Sequence, residues 1–182
     1  TSKKKNAGTN TSHFPIVCIG ASAGGLDALA QYLENVPSNS GMAYIVIQHL
    51  DPTHKGMLPE LLQRSTKMKV SQVEDGMPVK KNTVYVIPPN TTMSILKGVL
   101  YLFEPIEIRG LRLPVDYFLK TLADDQHERA VAVILSGMGS DGSIGIRSIK
   151  EQNGVVMVQE PSSAKFDSMP KNAMDSVVVD IV

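Results

Sequence analysis

Apolar and polar positions alternate between two periods along most of this chain. Short unbroken apolar runs at 16–19, 43–47, 130–135 and 155–158 have the length and β-branched content of strands buried on both faces. Between them lie stretches with helical spacing. Leu26 and Leu29 follow the first run, Leu58, Leu61 and Leu62 fall within 57–64, and 113–123 and 144–149 continue the pattern. Pro114 suits the first turn of its helix, and Asn153-Gly154 suits a helix end. Residues 83–87, 92–96 and 99–103 read as short β runs, and Lys97-Gly98 is placed to turn the last two into a hairpin. A final apolar segment, 177–182, is expected as a closing strand. Strand and helix alternation of this kind predicts an α/β fold: a doubly wound, mainly parallel sheet with helices on both faces and an antiparallel hairpin insertion.

Residues 1–12 hold Lys, Asn, Ser, Thr and Gly and have almost no apolar surface to bury. Residues 1–15 are therefore expected as a disordered tail or linker, and 16–182 as one domain. No internal repeat and no second domain is visible.

Composition narrows the function classes. Hydrophobic residues make up 42% of the 182, an ordinary globular mix. Eighteen Lys plus Arg balance eighteen Asp plus Glu, so no global charge favours a nucleic acid or a membrane surface. Tryptophan is absent and aromatics are 5%, which disfavours base-stacking platforms. One cysteine, Cys18, rules out an intramolecular disulfide and a four-thiolate zinc site. No apolar run approaches the roughly 20 residues that span a bilayer, and no secretory signal is visible, so a cytoplasmic location is expected.

The chemistry gathers at strand ends. The first strand runs into Gly20-Ala21-Ser22-Ala23-Gly24, a G-x-S-x-G at a strand-to-helix junction. Small residues permit a tight turn there and expose the serine hydroxyl, beside helix N–H groups that favour developing negative charge. Two other readings stand beside the nucleophile. Gly20, Ser22 and Gly25 occupy the positions of a dinucleotide fingerprint, although Ser22 replaces its middle glycine, and the segment could also be a plain turn. The second strand runs into Gln48-His49-Leu50-Asp51. The 130–135 strand runs into Ser136-Gly137-Met138-Gly139-Ser140-Asp141-Gly142. A serine needs a base, usually histidine, and a carboxylate behind the imidazole fixes its tautomer. Ser22, His49 and Asp141 are the candidates. Ser140 or Asp141 could instead simply cap the following helix.

The other histidines fit less well. His13 lies in the tail, His127 in a polar segment, and His54 in a loop after Asp51-Pro52. No third ligand accompanies His49 and His54, so neither a metal nor a cofactor is expected. The order Ser, His, Asp differs from the α/β-hydrolase order, which would have to use His127 as base.

These segments, together with Val84-Tyr85-Val86-Ile87-Pro88-Pro89-Asn90, Arg112-Leu113-Pro114-Val115-Asp116 and Phe166-Asp167-Ser168-Met169-Pro170, resemble the catalytic domain of CheB-type chemotaxis protein-glutamate methylesterases. The resemblance runs from Ile16 to the end of the chain. It implies hydrolysis of methyl esters on chemoreceptor glutamates with release of methanol, and deamidation of receptor glutamines by related enzymes. It implies Ser22 as nucleophile, His49 as base, Asp141 as orienting acid, and backbone groups of Ala23 and Met138 as the oxyanion site. Many members carry threonine where this chain has Ala23; a backbone N–H survives that change. Typical members also have an N-terminal receiver domain, whereas Arg109-Gly110-Leu111-Arg112-Leu113-Pro114 and His49-Leu50-Asp51-Pro52 look more like modules fused to a CheR-type methyltransferase. The implied partners are chemoreceptor cytoplasmic domains. The competing function is a noncatalytic nucleotide- or partner-binding module on the same fold.

Overall fold

The structure, a computed structural model, describes residues 13–48, 57–105 and 112–182. The expected tail over 1–12, together with His49, Leu50, Asp51, Pro52, His54 and residues 106–111, lies outside the described residues.

Six parallel strands form the main sheet: β1 (Ile16–Ala21), β2 (Ala43–Gln48), β3 (Lys69–Gln72), β5 (Thr83–Val86), β8 (Ala130–Ile134) and β9 (Val155–Val158), in the order β3-β5-β2-β1-β8-β9. The chain winds outward from β1 to β2 and β5 on one side, then crosses to β8 and β9 on the other. The switch point is therefore the gap between β1 and β8, where a doubly wound sheet leaves a crevice at its carboxyl edge. Three further strands, β4 (Met77–Pro78), β6 (Thr92–Leu96) and β7 (Val99–Phe103), make a separate antiparallel sheet in the order β4-β7-β6. Lys97 and Gly98, both at positive φ (51° and 70°), close the β6–β7 hairpin as expected.

Alternate residues of the central strands feed two cores. Ile16 and Cys18 of β1, with Ile45 and Ile47 of β2, face α3 (Pro114–Gln126), α4 (Gly145–Glu151) and the small sheet, through Phe118, Leu119, Ile146, Ile149, Met93 and Leu100. Val17 and Ile19, with Tyr44 and Val46, face α1 (Gly25–Glu34) and α2 (Leu58–Gln63), through Leu29, Leu33, Leu58 and Leu62. Burial on both faces explains why these strands read as unbroken apolar runs. The body takes in Phe14 and Pro15, ahead of the expected start at Ile16: Phe14 packs on the first core, and the Pro15 carbonyl accepts from the Ala43 N–H at 3.1 Å.

Beyond β3 and β4, which the sequence reading did not include, two segments differ from it. Residues 177–182 form no strand; they lie along β9 through an isolated bridge between Met157 and Ile181, with Val158 N–H donating to Ile181 O and Asp180 N–H to Val156 O, each at 2.9 Å. The segment after Phe166 folds as helix α5 (Ser168–Ser176), which packs Met169 and Ala173 against the first core.

Candidate active site

The site is built on the register of the three central strands. Ala21, the last residue of β1, stands opposite Gln48, the last residue of β2. Gly20 stands opposite Ile134, the last residue of β8. The β1–β8 ladder continues past both strands, with Leu135 N–H donating to Gly20 O at 2.9 Å and Ser22 N–H to Ser136 O at 3.1 Å. Ser22 and the segment after β8 are thereby fixed side by side at the switch point. His49, the residue after Gln48 in the sequence, lies outside the described residues.

Ser22 is half-buried, and its carbonyl accepts from the Gly25 N–H at 2.9 Å, which closes the turn into α1. Gly24 caps that helix with φ 67°, a conformation glycine adopts without strain, and brings no side chain to the first-turn N–H groups. Packing leaves no space at Gly20 or Gly25 either. A β-carbon on Gly20 would lie 2.7 Å from Val115 Cγ1, and one on Gly25 2.6 Å from Ala21 Cβ. The fingerprint-like glycines are thus accounted for by close packing around the serine turn.

Ser136, which the sequence reading treated only as part of a glycine-rich turn, ties three segments together. It is almost fully buried, at 1% exposure. Its hydroxyl donates to Ala23 O at 3.1 Å and accepts from Phe166 N–H at 3.0 Å. The Gly-Met-Gly loop behind it is pinned by the α5 segment: Gly137 N–H donates to Phe166 O, Met169 N–H to Gly137 O, and the Asn172 amide to Gly139 O. Met138, at the crest, is 61% exposed. Among the described residues the N–H groups of Ala23 and Met138 take no hydrogen-bond acceptor.

Asp141 is buried, and both carboxylate oxygens are occupied. Oδ2 accepts from Val115 N–H at 3.0 Å and Oδ1 from Asp116 N–H at 2.9 Å. Those are first-turn amides of α3, so Asp141 does cap a helix, but not the one that follows it in sequence. The helix that follows, α4, receives its acceptor from Asp116, whose Oδ1 takes the Ile144 N–H at 2.9 Å and the Gly145 N–H at 2.6 Å. Burial pushes the Asp116 carboxyl above its ordinary value; the amides of Gly145, Ile144 and Gly142 oppose the shift, and the neighbouring charge of Asp141 adds to it.

His127 and His13 fall at the amino end of the sheet, ahead of β8 and β1 respectively, and His127 Nδ1 lies 3.0 Å from Gln152 Oε1 on the surface. Neither can serve groups at the carboxyl edge, which removes the His127 plan. No cluster of three or more metal-ligating side chains occurs among the described residues. No helix among them is long and apolar enough to cross a membrane.

The fold is that of a doubly wound α/β protein with a crevice at the carboxyl ends of its first and eighth strands. The family model described as CheB methylesterase matches residues 17–182, and the chain belongs to that family. It is 30% identical over 171 residues to a putative protein-glutamate methylesterase/protein-glutamine glutaminase of Leptospira interrogans, covering 93% of this chain and 89% of that protein. It is 42% identical over 123 residues to an uncharacterized 104.1 kDa protein of Rhodobacter capsulatus, of which the match covers 13%. It superposes on the crystal structure of the Thermotoga maritima CheB methylesterase catalytic domain with a TM-score of 0.84 and 29% identity, covering 93% of this chain and 92% of that one. The chain spans about half the length of several other curated relatives named as protein-glutamate methylesterases.

Proposed function

We propose that this chain hydrolyses methyl esters of glutamate side chains on chemoreceptor cytoplasmic domains, with Ser22, His49 and Asp141 as its triad. One observation carries the reading. The serine turn, the end of β2 and the Asp141 loop converge on the carboxyl ends of three adjacent strands at the switch point. Ser22 Oγ attacks the ester carbonyl while His49 takes its proton. The oxyanion is met by the N–H groups of Ala23 and Met138, whose unengaged state supports that role. The proton passes from His49 to the leaving oxygen, and methanol departs. Water, activated by the same base, then attacks the glutamyl ester on Ser22 and restores the carboxylate. Attack on a glutamine amide would release ammonia by the same route, and the double name of the Leptospira relative supports that second activity.

The small fraction of the Rhodobacter protein that the match covers supports a setting within a larger multidomain protein, such as a fusion with a CheR-type methyltransferase or a receiver domain. A cytoplasmic location follows from the substrate. The competing binding module finds less support, because the glycines that suggested a nucleotide loop serve close packing.

A serine-directed fluorophosphonate distinguishes the two readings. The esterase reading expects a single adduct that maps to Ser22 and is lost in His49→Ala. An unlabelled Ser22 in folded protein contradicts it.

A further inference from the structure

We propose that Asp116 is a positioning residue that holds the Asp141 loop in register with the strand ends, through one carboxylate oxygen and its own backbone N–H. The proposal rests on the reading above, in which Asp141 orients the base.

The two aspartates bind each other's helices reciprocally. Asp116 gives its N–H to Asp141 Oδ1 and takes the N–H groups of Ile144 and Gly145 on its own Oδ1. The loop carrying Asp141 is therefore anchored at both ends. Its start is tied to Phe166 and Met169 through Gly137, and its end is tied to Asp116. Ile144, at the cap position of α4, brings no capping side chain of its own. The largely buried first turn of α4 relies on Asp116 for an acceptor. Close packing reinforces the joint: a β-carbon on Gly145 would lie 3.0 Å from the Asp116 Cα and carbonyl oxygen.

The second oxygen of Asp116 makes the arrangement more than an ordinary cap. Oδ2 is buried and, among the described residues, has no hydrogen-bond partner, whereas both oxygens of Asp141 are used. Burying a half-satisfied carboxylate costs stability. An ordinary cap residue sits at the start of its own helix, whereas this acceptor comes from another helix. What the buried carboxylate adds is a fixed distance between the start of α3, on which Asp141 rests, and the start of α4, which ends the Asp141 loop.

The asymmetry sets the test. Asparagine keeps the working oxygen of Asp116 and replaces only the idle one; alanine removes both. Turnover is measured as methanol release from a methylated receptor cytoplasmic fragment, with melting curves for each variant. Asp116→Ala is expected to lower kcat about 100-fold with KM within about twofold, the scale on which misplacing a catalytic group by about 1 Å acts. Asp116→Asn is expected to restore kcat to within about threefold of wild type. The acid limb of the Asp116→Ala rate profile should move to lower pH, because an imidazolium no longer held against Asp141 loses its proton more readily; a loss of stability alone leaves that limb in place. If Asp116→Ala does not fold, Asp116→Ser, which reaches fewer of the two amides, should fall between the alanine expectation and wild type. A folded Asp116→Ala or Asp116→Ser with wild-type kcat overturns the proposal, and so does an Asp116→Asn as impaired as the alanine variant. Asp141→Ala, run in parallel, separates the two levels. If it is inactive while Asp116→Ala is normal, only the positioning role fails; if it is active, the reading of Asp141 fails with it.

Discussion

Gly137 packs directly against the Ser22 turn: a β-carbon there would stand 2.8 Å from Ser22 Cβ and would overlap the sulfur of Met169. The Gly-Met-Gly loop can therefore lie beside Ser22 only because its first residue has no side chain. The same contact joins α5, through Met169, to the serine it never meets in sequence. Gly137→Ala should force Met169 aside and push Met138 away from Ser22. Overpacking of this kind costs about 1–3 kcal/mol. The expected result is a folded protein with a lowered melting point and fluorophosphonate labelling of Ser22 slowed by about tenfold or more. Labelling at the wild-type rate would show that the loop position does not matter to the serine.

Asp116 gives the protein a pH-dependent stability with a definite sign. Its folded carboxyl sits above the ordinary value of 3.8, with burial as the largest cause. The folded state therefore holds this proton more tightly than the unfolded chain does. Its contribution to stability is fully present below the unfolded value and is lost as pH rises through the folded one. Asp116→Asn has no such proton. Denaturant melts of wild type and Asp116→Asn, from about pH 4 to about pH 7, should show the variant gaining relative stability as pH rises. A difference that is flat, or that slopes the other way, would mean that Asp116 is not the desolvated group described here.

Cys18 lies at the centre of β1 with no exposed surface, and burial, assisted by the charge of Asp141, pushes its thiol well above the ordinary value. The reactive form is the thiolate, so the native protein should resist maleimide at neutral pH. Modification should appear only with global unfolding, at a rate that follows denaturant. Rapid labelling of the native protein would show that the central strand opens locally.

The central strands, both helical layers and the β6–β7 hairpin were legible because their burial on one or two faces writes a simple period into the chain. What was missed lacks such a period. Lys69-Val70-Ser71-Gln72 forms one outer strand of the sheet with Val70 its single apolar residue, so no apolar run marks it. Helix α5 begins Ser168-Met169-Pro170 and buries only Met169, Pro170 and Ala173. At the site, Ser22 and Asp141 stand where strand ends were expected to put them. The reciprocal capping did not show in the sequence, because Asp116 reaches amides 28 and 29 residues away and Asp141 reaches back 25 and 26. A carboxylate in the first turn of α3 is favoured by its own helix dipole, and nothing local says that it serves another helix. Ser136 was passed over for the same reason: its partners, Ala23 and Phe166, are distant in sequence.

The account turns on Ser22 as the nucleophile of an ester hydrolase, and methanol release from a methylated receptor cytoplasmic fragment tests that most directly. Wild type should release methanol, and Ser22→Ala, with an unchanged circular dichroism spectrum, should be slower by about 10⁶, the usual cost of removing a triad nucleophile. Methanol release near the wild-type rate from folded Ser22→Ala would contradict the account.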